Sequence, residues 1–152
     1  MSGRIISTMI TMFVFILFFL LSITYSLHKK IELNVDTINY NVVETVSTNG
    51  KFTDQLYSHL TNSITKHGDF EIIVKLERQI TPGIYDIYYD TDYILDENLE
   101  IGDKISVYIE ARDISLFGSL MNASTFGIMD TDNLVDSKVR SIKTAIVSKN
   151  GS

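Results

Sequence analysis

The residues able to do chemistry are few. Three histidines could serve as bases or metal ligands: His28, His59 and His67. His59 and His67 stand eight apart with no third ligand at useful spacing, and His28 follows an apolar run, where an interfacial imidazole is the simpler reading. Two groups of acids offer the oxygen ligands that a hard cation such as Ca²⁺ prefers. Asp86, Asp90, Asp92, Asp96, Glu97, Glu100 and Asp103 form the first, and Asp130, Asp132, Asn133 and Asp136 the second. Neither has the spacing of an EF-hand loop, with its central Gly and terminal bidentate Glu, so both read as solvated loop acids. The chain contains no Gly-rich phosphate loop ending in Lys and Ser or Thr, no HExxH and no GxSxG. The expectation is a protein that is not an enzyme, with no catalytic residue, no cofactor and no metal ligand. No small-molecule substrate is evident.

Composition narrows the classes further. The chain holds no cysteine, which excludes disulfides, thiolate metal sites and Cys nucleophiles. Its formal net charge is −6, so a phosphate-binding surface would need a segregated basic face. Lys138, Arg140, Lys143 and Lys149 are the one candidate, but they alternate with apolar residues and fit the solvent side or edge of a strand. No nucleic-acid partner is expected. Asn122-Ala123-Ser124 and Asn150-Gly151-Ser152 fit the N-glycosylation triplet, which carries meaning only in a secretory context.

The element that dominates the chain is a run without charge from residue 5 to residue 27, including Ile5, Phe13, Phe15, Phe18, Phe19 and Leu27. As a helix it spans about 34 Å, enough for a hydrocarbon layer of roughly 30 Å. Tyr25, Lys29 and Lys30 then supply an aromatic and basic interfacial anchor. A cleaved secretory signal is the competing reading, with Arg4 before the run and Thr24 and Ser26 as small residues at a cleavage site; the run exceeds the usual apolar length of about 7–15 residues. Residues 1–30 are therefore expected to be a membrane anchor and 31–152 a soluble α+β domain. The positive charges of Arg4 and of Lys29 with Lys30 nearly balance, and the short N-terminal tail favours a cytoplasmic N-terminus with the domain outside the cell membrane.

Beyond Lys30, the residues Ile31, Val35, Ile38, Val42 and Val46 trace one helical stripe, which would continue the first helix. A strand alternation through Ile31, Leu33 and Val35, then Ile38, Tyr40 and Val42, competes with it. Asn49 and Gly50 end the element either way. Thr53 is an expected N-cap, with Asp54 in the first turn and Phe52 and Tyr57 as a hydrophobic staple. Phe52, Leu56, Leu60 and Ile64 then mark a short amphipathic helix. From Phe70 the period becomes two: Phe70, Ile72, Val74 and Leu76 share a face, Thr81, Pro82 and Gly83 turn the chain, and residues 84–89 return. Residues 90–103 read as an acidic loop, 104–112 as a strand burying Ile105, Val107, Ile109 and Ala111, and 137–148 as the last strand. A small antiparallel sheet of about four strands follows.

Residues 113–136 lose clear periodicity yet keep Leu116, Phe117, Leu120, Met121, Phe126, Ile128 and Met129. These form either a loop with a helical turn over the domain's own core or an apolar patch for a partner subunit or the membrane surface. Leu116, Phe117, Leu120, Met121, Phe126 and Met129 are the partner-contact candidates. Ser7, Thr8, Thr11 and Ser22 are small or polar positions suited to helix–helix contact within a bilayer.

The layout resembles the pilin-like proteins, more narrowly the TadE-like minor pilins, and a related uncharacterised single-pass membrane family of Clostridia and their relatives. The residues that carry the resemblance are the uncharged run from Ile5, the stripe through Ile31, Val35, Ile38 and Val42, the break at Asn49-Gly50-Lys51-Phe52-Thr53, and Leu99-Glu100-Ile101-Gly102-Asp103 leading into a strand. Pilins carry Glu at the fifth mature position; a cut after Gly3 would put Thr8 there, with Arg4 first. The resemblance implies a pilin-like fold and a structural or assembly subunit of a pilus, secretion or conjugation apparatus, a pseudopilin-like part partnered by the lipid bilayer and by other membrane or pilin-like subunits. The alternative is a membrane-tethered extracytoplasmic module that binds a protein partner or a cation.

Overall fold

The structure is a computed structural model that describes residues 2–89, 91–125 and 138–151. It is α+β and divides into two compact units, one of Met1–Lys30 with Ile114–Lys138, the other of Ile31–Asp113 with Val139–Ser152.

Helix α1 (Ser2–Asn49) belongs to both, its first part to one unit and its second part to the other. No Gly or Pro interrupts it after Gly3, so the helical expectation for residues 31–46 holds and the strand alternative does not. Val35, Val42 and Val46 of the expected stripe are buried, while Leu33 and Tyr40, which a strand would have placed with them, are exposed. Gly50 stops the helix at φ 67°, its N–H donating to the Val46 carbonyl at 2.8 Å.

In the second unit, helix α2 (Asp54–Ile64) begins as expected: the Thr53 hydroxyl accepts from the Leu56 N–H at 3.2 Å, and the rings of Phe52 and Tyr57 meet edge to face at 6.0 Å. A single 3₁₀ turn (Thr65–His67) leads to the sheet. Its strands are β1 (Phe70–Thr81), β2 (Ile84–Tyr88), β3 (Lys104–Ala111) and β4 (Arg140–Ile146), antiparallel throughout in the order β2-β1-β3-β4. Val74 pairs with Val107 and Val107 with Lys143, which sets the register. The core joins Val35, Val42 and Val46 of α1, Leu60 and Ile64 of α2, and Val74, Leu76, Ile105, Val107 and Ile109 of the sheet.

One segment departs from expectation. Residues 90–103 are not merely an acidic loop: helix α3 (Thr91–Ile94) buries Ile94, Leu99 is buried after it, and single bridges tie Phe52 to Leu95 and Lys51 to Asn98. In β4 the β-branched Ile142 and Ile146 are exposed, while Ser141 is buried and Ala145 packs against the core. The basic residues Arg140 and Lys143 lie on this edge strand.

In the first unit, helix α4 (Leu116–Ser124) forms where periodicity was weak, with the Ser115 hydroxyl capping it by accepting from the Gly118 N–H at 3.1 Å.

Candidate functional site

A helix that serves a soluble core hides its large apolar residues, and the first part of α1 does the reverse. Ile5, Phe13, Phe15, Phe18, Phe19 and Leu27 are between 50% and 74% exposed, and none of the most apolar window of the helix is buried. The helix is long and apolar enough to cross a membrane. Four of its hydroxyls are satisfied internally: Thr8, Thr11, Thr24 and Ser26 each donate to the carbonyl four residues earlier at 2.9 Å. Such back-bonding hides polar groups that would be costly in an apolar medium. Thr8 and Thr11, read from the sequence as contact positions, are engaged in this way.

Of the apolar candidates in the same unit, Leu116, Phe117, Leu120 and Met121 lie on α4, and Phe126 and Met129 lie outside the described residues. The Phe117 ring meets Tyr25 edge-on at 5.2 Å and stands 6.1 Å from His28. His28 is buried, and among the described residues neither of its ring nitrogens has a hydrogen-bond partner. The Lys29 ammonium lies over the Tyr25 ring, 5.9 Å from its centre. Leu116, by contrast, is 73% exposed.

The second unit holds polar groups whose roles the sequence did not reveal. Asn39 is fully buried among the valines of α1, and its amide donates to the Val107 carbonyl at 3.1 Å and to the Ser141 hydroxyl at 3.0 Å. Ser141 in turn donates to Asp36 at 2.9 Å, and Lys143 pairs with the other Asp36 oxygen at 2.7 Å. Burial pushes the Asp36 carboxyl up, but hydrogen bonds from Lys143 and Ser141 and the charge of Lys143 outweigh it, so the group sits below the usual carboxylate range. This chain of contacts docks α1 on β3 and β4. The spacing could have flagged Asn39, four residues after Val35 and three before Val42.

Among the described residues, the acids of the first cluster do not converge. Asp86, Asp92, Asp96, Glu97 and Glu100 are exposed, whereas Asp103 is buried and accepts from the Gln79 and Glu100 N–H groups at 3.0 and 3.1 Å, with Arg78 at 3.7 Å. Asp103 thus braces the turn before β3. Asp90 and the whole second cluster of acids lie outside the described residues. Among the described residues no three His, Cys, Asp or Glu side chains are grouped to hold a metal ion. His59 is exposed and His67 half-buried.

The outer sheet face carries charges and apolar side chains together. Glu77 accepts from Lys75 and pairs with Lys104 at 3.7 Å, and Lys104 caps the Tyr85 ring at 4.1 Å. The Lys75 hydrogen bond, resisted by some burial, holds the Glu77 carboxyl below its ordinary value. A shallow depression of about 170 Å³ opens among Glu71, Ile73, Tyr108, Glu110, Arg140 and Ile142. Chemically it offers an apolar floor and an Arg140–Glu110 pair at 3.1 Å on its rim.

Compared with known proteins, the chain matches no family model, no curated protein and no solved structure.

Proposed function

We propose that the chain is a non-enzymatic, single-pass membrane-anchored subunit, pilin-like in layout, that assembles into a pilus, secretion or conjugation apparatus of the cell envelope, with its folded domain extracytoplasmic. The carrying observation is the exposed, uncharged stretch of α1 that runs without a break into the helix supplying the core of the second unit. Moving one large apolar side chain out of water is worth about 1.5–3 kcal/mol. Phe13, Phe15, Phe18 and Phe19 alone would therefore cost on the order of the whole stability of a small domain if left in water. A bilayer, and within it neighbouring apolar helices, removes that cost. The pilin-like layout adds what the anchor would be for: helices associating in the membrane before or during assembly.

Amine-reactive disuccinimidyl crosslinking in native membranes tests the assembly. A subunit gives ladders or defined adducts; a clean monomer refutes assembly. Alkaline carbonate washing tests the anchor separately, since a protein that washes off is not embedded. Mass spectrometry of the mature N-terminus distinguishes an intact anchor, beginning at Met1 or Ser2, from a processed prepilin beginning at Arg4. A start beyond Ser26 would refute the anchor.

The depression on the outer sheet face favours a second reading, a tethered module that docks a protein partner there. In that case Ile73→Arg and Ile142→Arg would abolish partner capture while leaving crosslinked self-adducts absent.

A further inference from the structure

We infer that α4 is a second membrane-contacting element, a short helix seated in the headgroup boundary of the bilayer that α1 crosses, with lipid as the occupant of the surface around its exposed Leu116. The inference rests on reading residues 5–27 as the spanning segment and deepens it.

Depth comes first. If that run fills a hydrocarbon layer of roughly 30 Å, its last turn, with Tyr25 and Leu27, marks the boundary on the domain side. Phe117 packs on Tyr25 at 5.2 Å, so α4 sits at the depth of that ring. Composition is second. The helix reads Leu-Phe-Gly-Ser-Leu-Met-Asn-Ala-Ser and carries no charge. At about 100° per residue, Leu116, Leu120, Phe117 and Met121 fall within an arc of about 140°, and Asn122 projects from the opposite side. Exposure is third: Leu116 is among the most exposed large apolar residues of the chain at 73%, in the same range as the phenylalanines of the spanning run. Phe117, Leu120 and Met121 are half-buried, so the exposed part of this arc is Leu116, on a helix packed through Phe117 against a run that is itself read as lipid-facing. Lys29 and Lys30 follow on α1 at the same level, where ammonium groups favour anionic headgroups. A water-soluble partner would have to reach this face through the headgroups, whereas lipid is already there.

Because the chain has no cysteine, single-cysteine variants of the full-length protein report each position alone. Leu116→Cys, Asn122→Cys and Phe18→Cys, each labelled with an environment-sensitive fluorophore, would be reconstituted in vesicles of phosphatidylethanolamine and phosphatidylglycerol. Quenching is then read from nitroxides placed near the head or deep in the acyl chains, and from aqueous iodide. The expected result is deep-nitroxide quenching at Phe18→Cys, iodide access at Asn122→Cys, and shallow-nitroxide quenching at Leu116→Cys about threefold stronger than at Asn122→Cys. Iodide access at Leu116→Cys alongside deep quenching at Phe18→Cys would overturn the inference and leave the anchor standing. Shielding of Leu116→Cys from both quenchers would overturn it in favour of a protein contact, such as a second copy. Loss of deep quenching at Phe18→Cys would remove the anchor, and this inference with it.

Discussion

Gly50 is the residue on which the second unit closes, and Gly50→Ala isolates the strength of that closure. The position has φ 67°, where an L side chain costs about 1–2 kcal/mol through clash with its own backbone. A Cβ there would also overlap the Lys149 carbonyl and the Gly151 N–H and come within 2.6 Å of the Asn150 carbonyl carbon. These are backbone atoms and cannot rotate aside, so residues 149–151 must lift. Lifting them breaks the Gly151 N–H bond to the Leu99 carbonyl at 3.0 Å and the Ile101 N–H bond to Asn150 at 2.9 Å. Each is worth about 0.5–1.5 kcal/mol net, which brings the total to about 2–5 kcal/mol. Gly83 supplies the control, because it too has a positive φ, 89°, yet a Cβ there meets nothing within 4 Å. Gly83→Ala should therefore cost only the conformational part, about 1–2 kcal/mol.

Urea unfolding of the full chain in detergent, followed by tyrosine fluorescence, would measure the difference. With a slope of about 2 kcal/mol per molar, Gly50→Ala should lower the midpoint by roughly 0.5–1.5 M more than Gly83→Ala does. Deleting residues 149–152 removes the clash partners, so in that background the Gly50→Ala penalty should fall to the level of Gly83→Ala. Equal penalties for Gly50→Ala with and without the deletion would refute the steric account.

The remaining expectations concern the polar contacts and the core. The folded Asp36 carboxyl lies below its ordinary value of 3.8, so its contribution is fully present above about pH 4 and is lost as the pH falls through the depressed folded value. Asp36→Asn should flatten that part of the acid unfolding curve; because the group is 41% exposed, the change is capped at a few tenths of a kcal/mol, read from urea midpoints at about pH 6 and pH 3. Asn39→Leu removes a donor along with a carbonyl oxygen that has no partner among the described residues, and Ser141 keeps its bond to Asp36, so stability should stay within about 1 kcal/mol of the parent. Asn39→Asp buries a carboxylate in the same place and should cost several kcal/mol near neutral pH. Phe52→Ala empties the largest fully buried side chain among the described residues and should cost about 3–5 kcal/mol in the same urea assay.

Elements that declare themselves through local spacing were legible in the residues. The stripe from Ile31 to Val46, the Thr53 cap and the period-two faces of β1 and β3 all follow from the geometry of a single helix or strand, and each stands where its pattern placed it. What failed to show was set by distant partners. Ile94 and Leu99 are five apart, a spacing of neither period, and their burial depends on tertiary packing with Phe52 and the rest of the core. Asp103 looked like one more solvated acid because its donors are backbone groups, the Glu100 amide in its own turn and the Gln79 amide brought near by the sheet. Asn39 lay visibly on the stripe, yet its partner Ser141 is 102 residues away. Ile142 and Ile146 met the shape preference of a strand without being buried, because β-propensity reflects fit to a pleated surface more than depth.

The functional surfaces divide along the same line. Catalytic constellations announce themselves because directional chemistry demands particular residue types at particular distances. The exposed length of α1 is instead a hydrophobic surface, and the hydrophobic effect is non-directional and scales with area. Such a surface is easy to find in a sequence, since it needs only length and the absence of charge. It carries little information about which apolar neighbour covers it, because lipid and a packed helix remove the same area from water. Discrimination then falls to the few places where geometry is specific, and in the first unit that place is the Tyr25, His28 and Phe117 cluster beside the exposed Leu116. A quenching measurement at Leu116 therefore separates lipid from a packed helix where the apolar area alone does not.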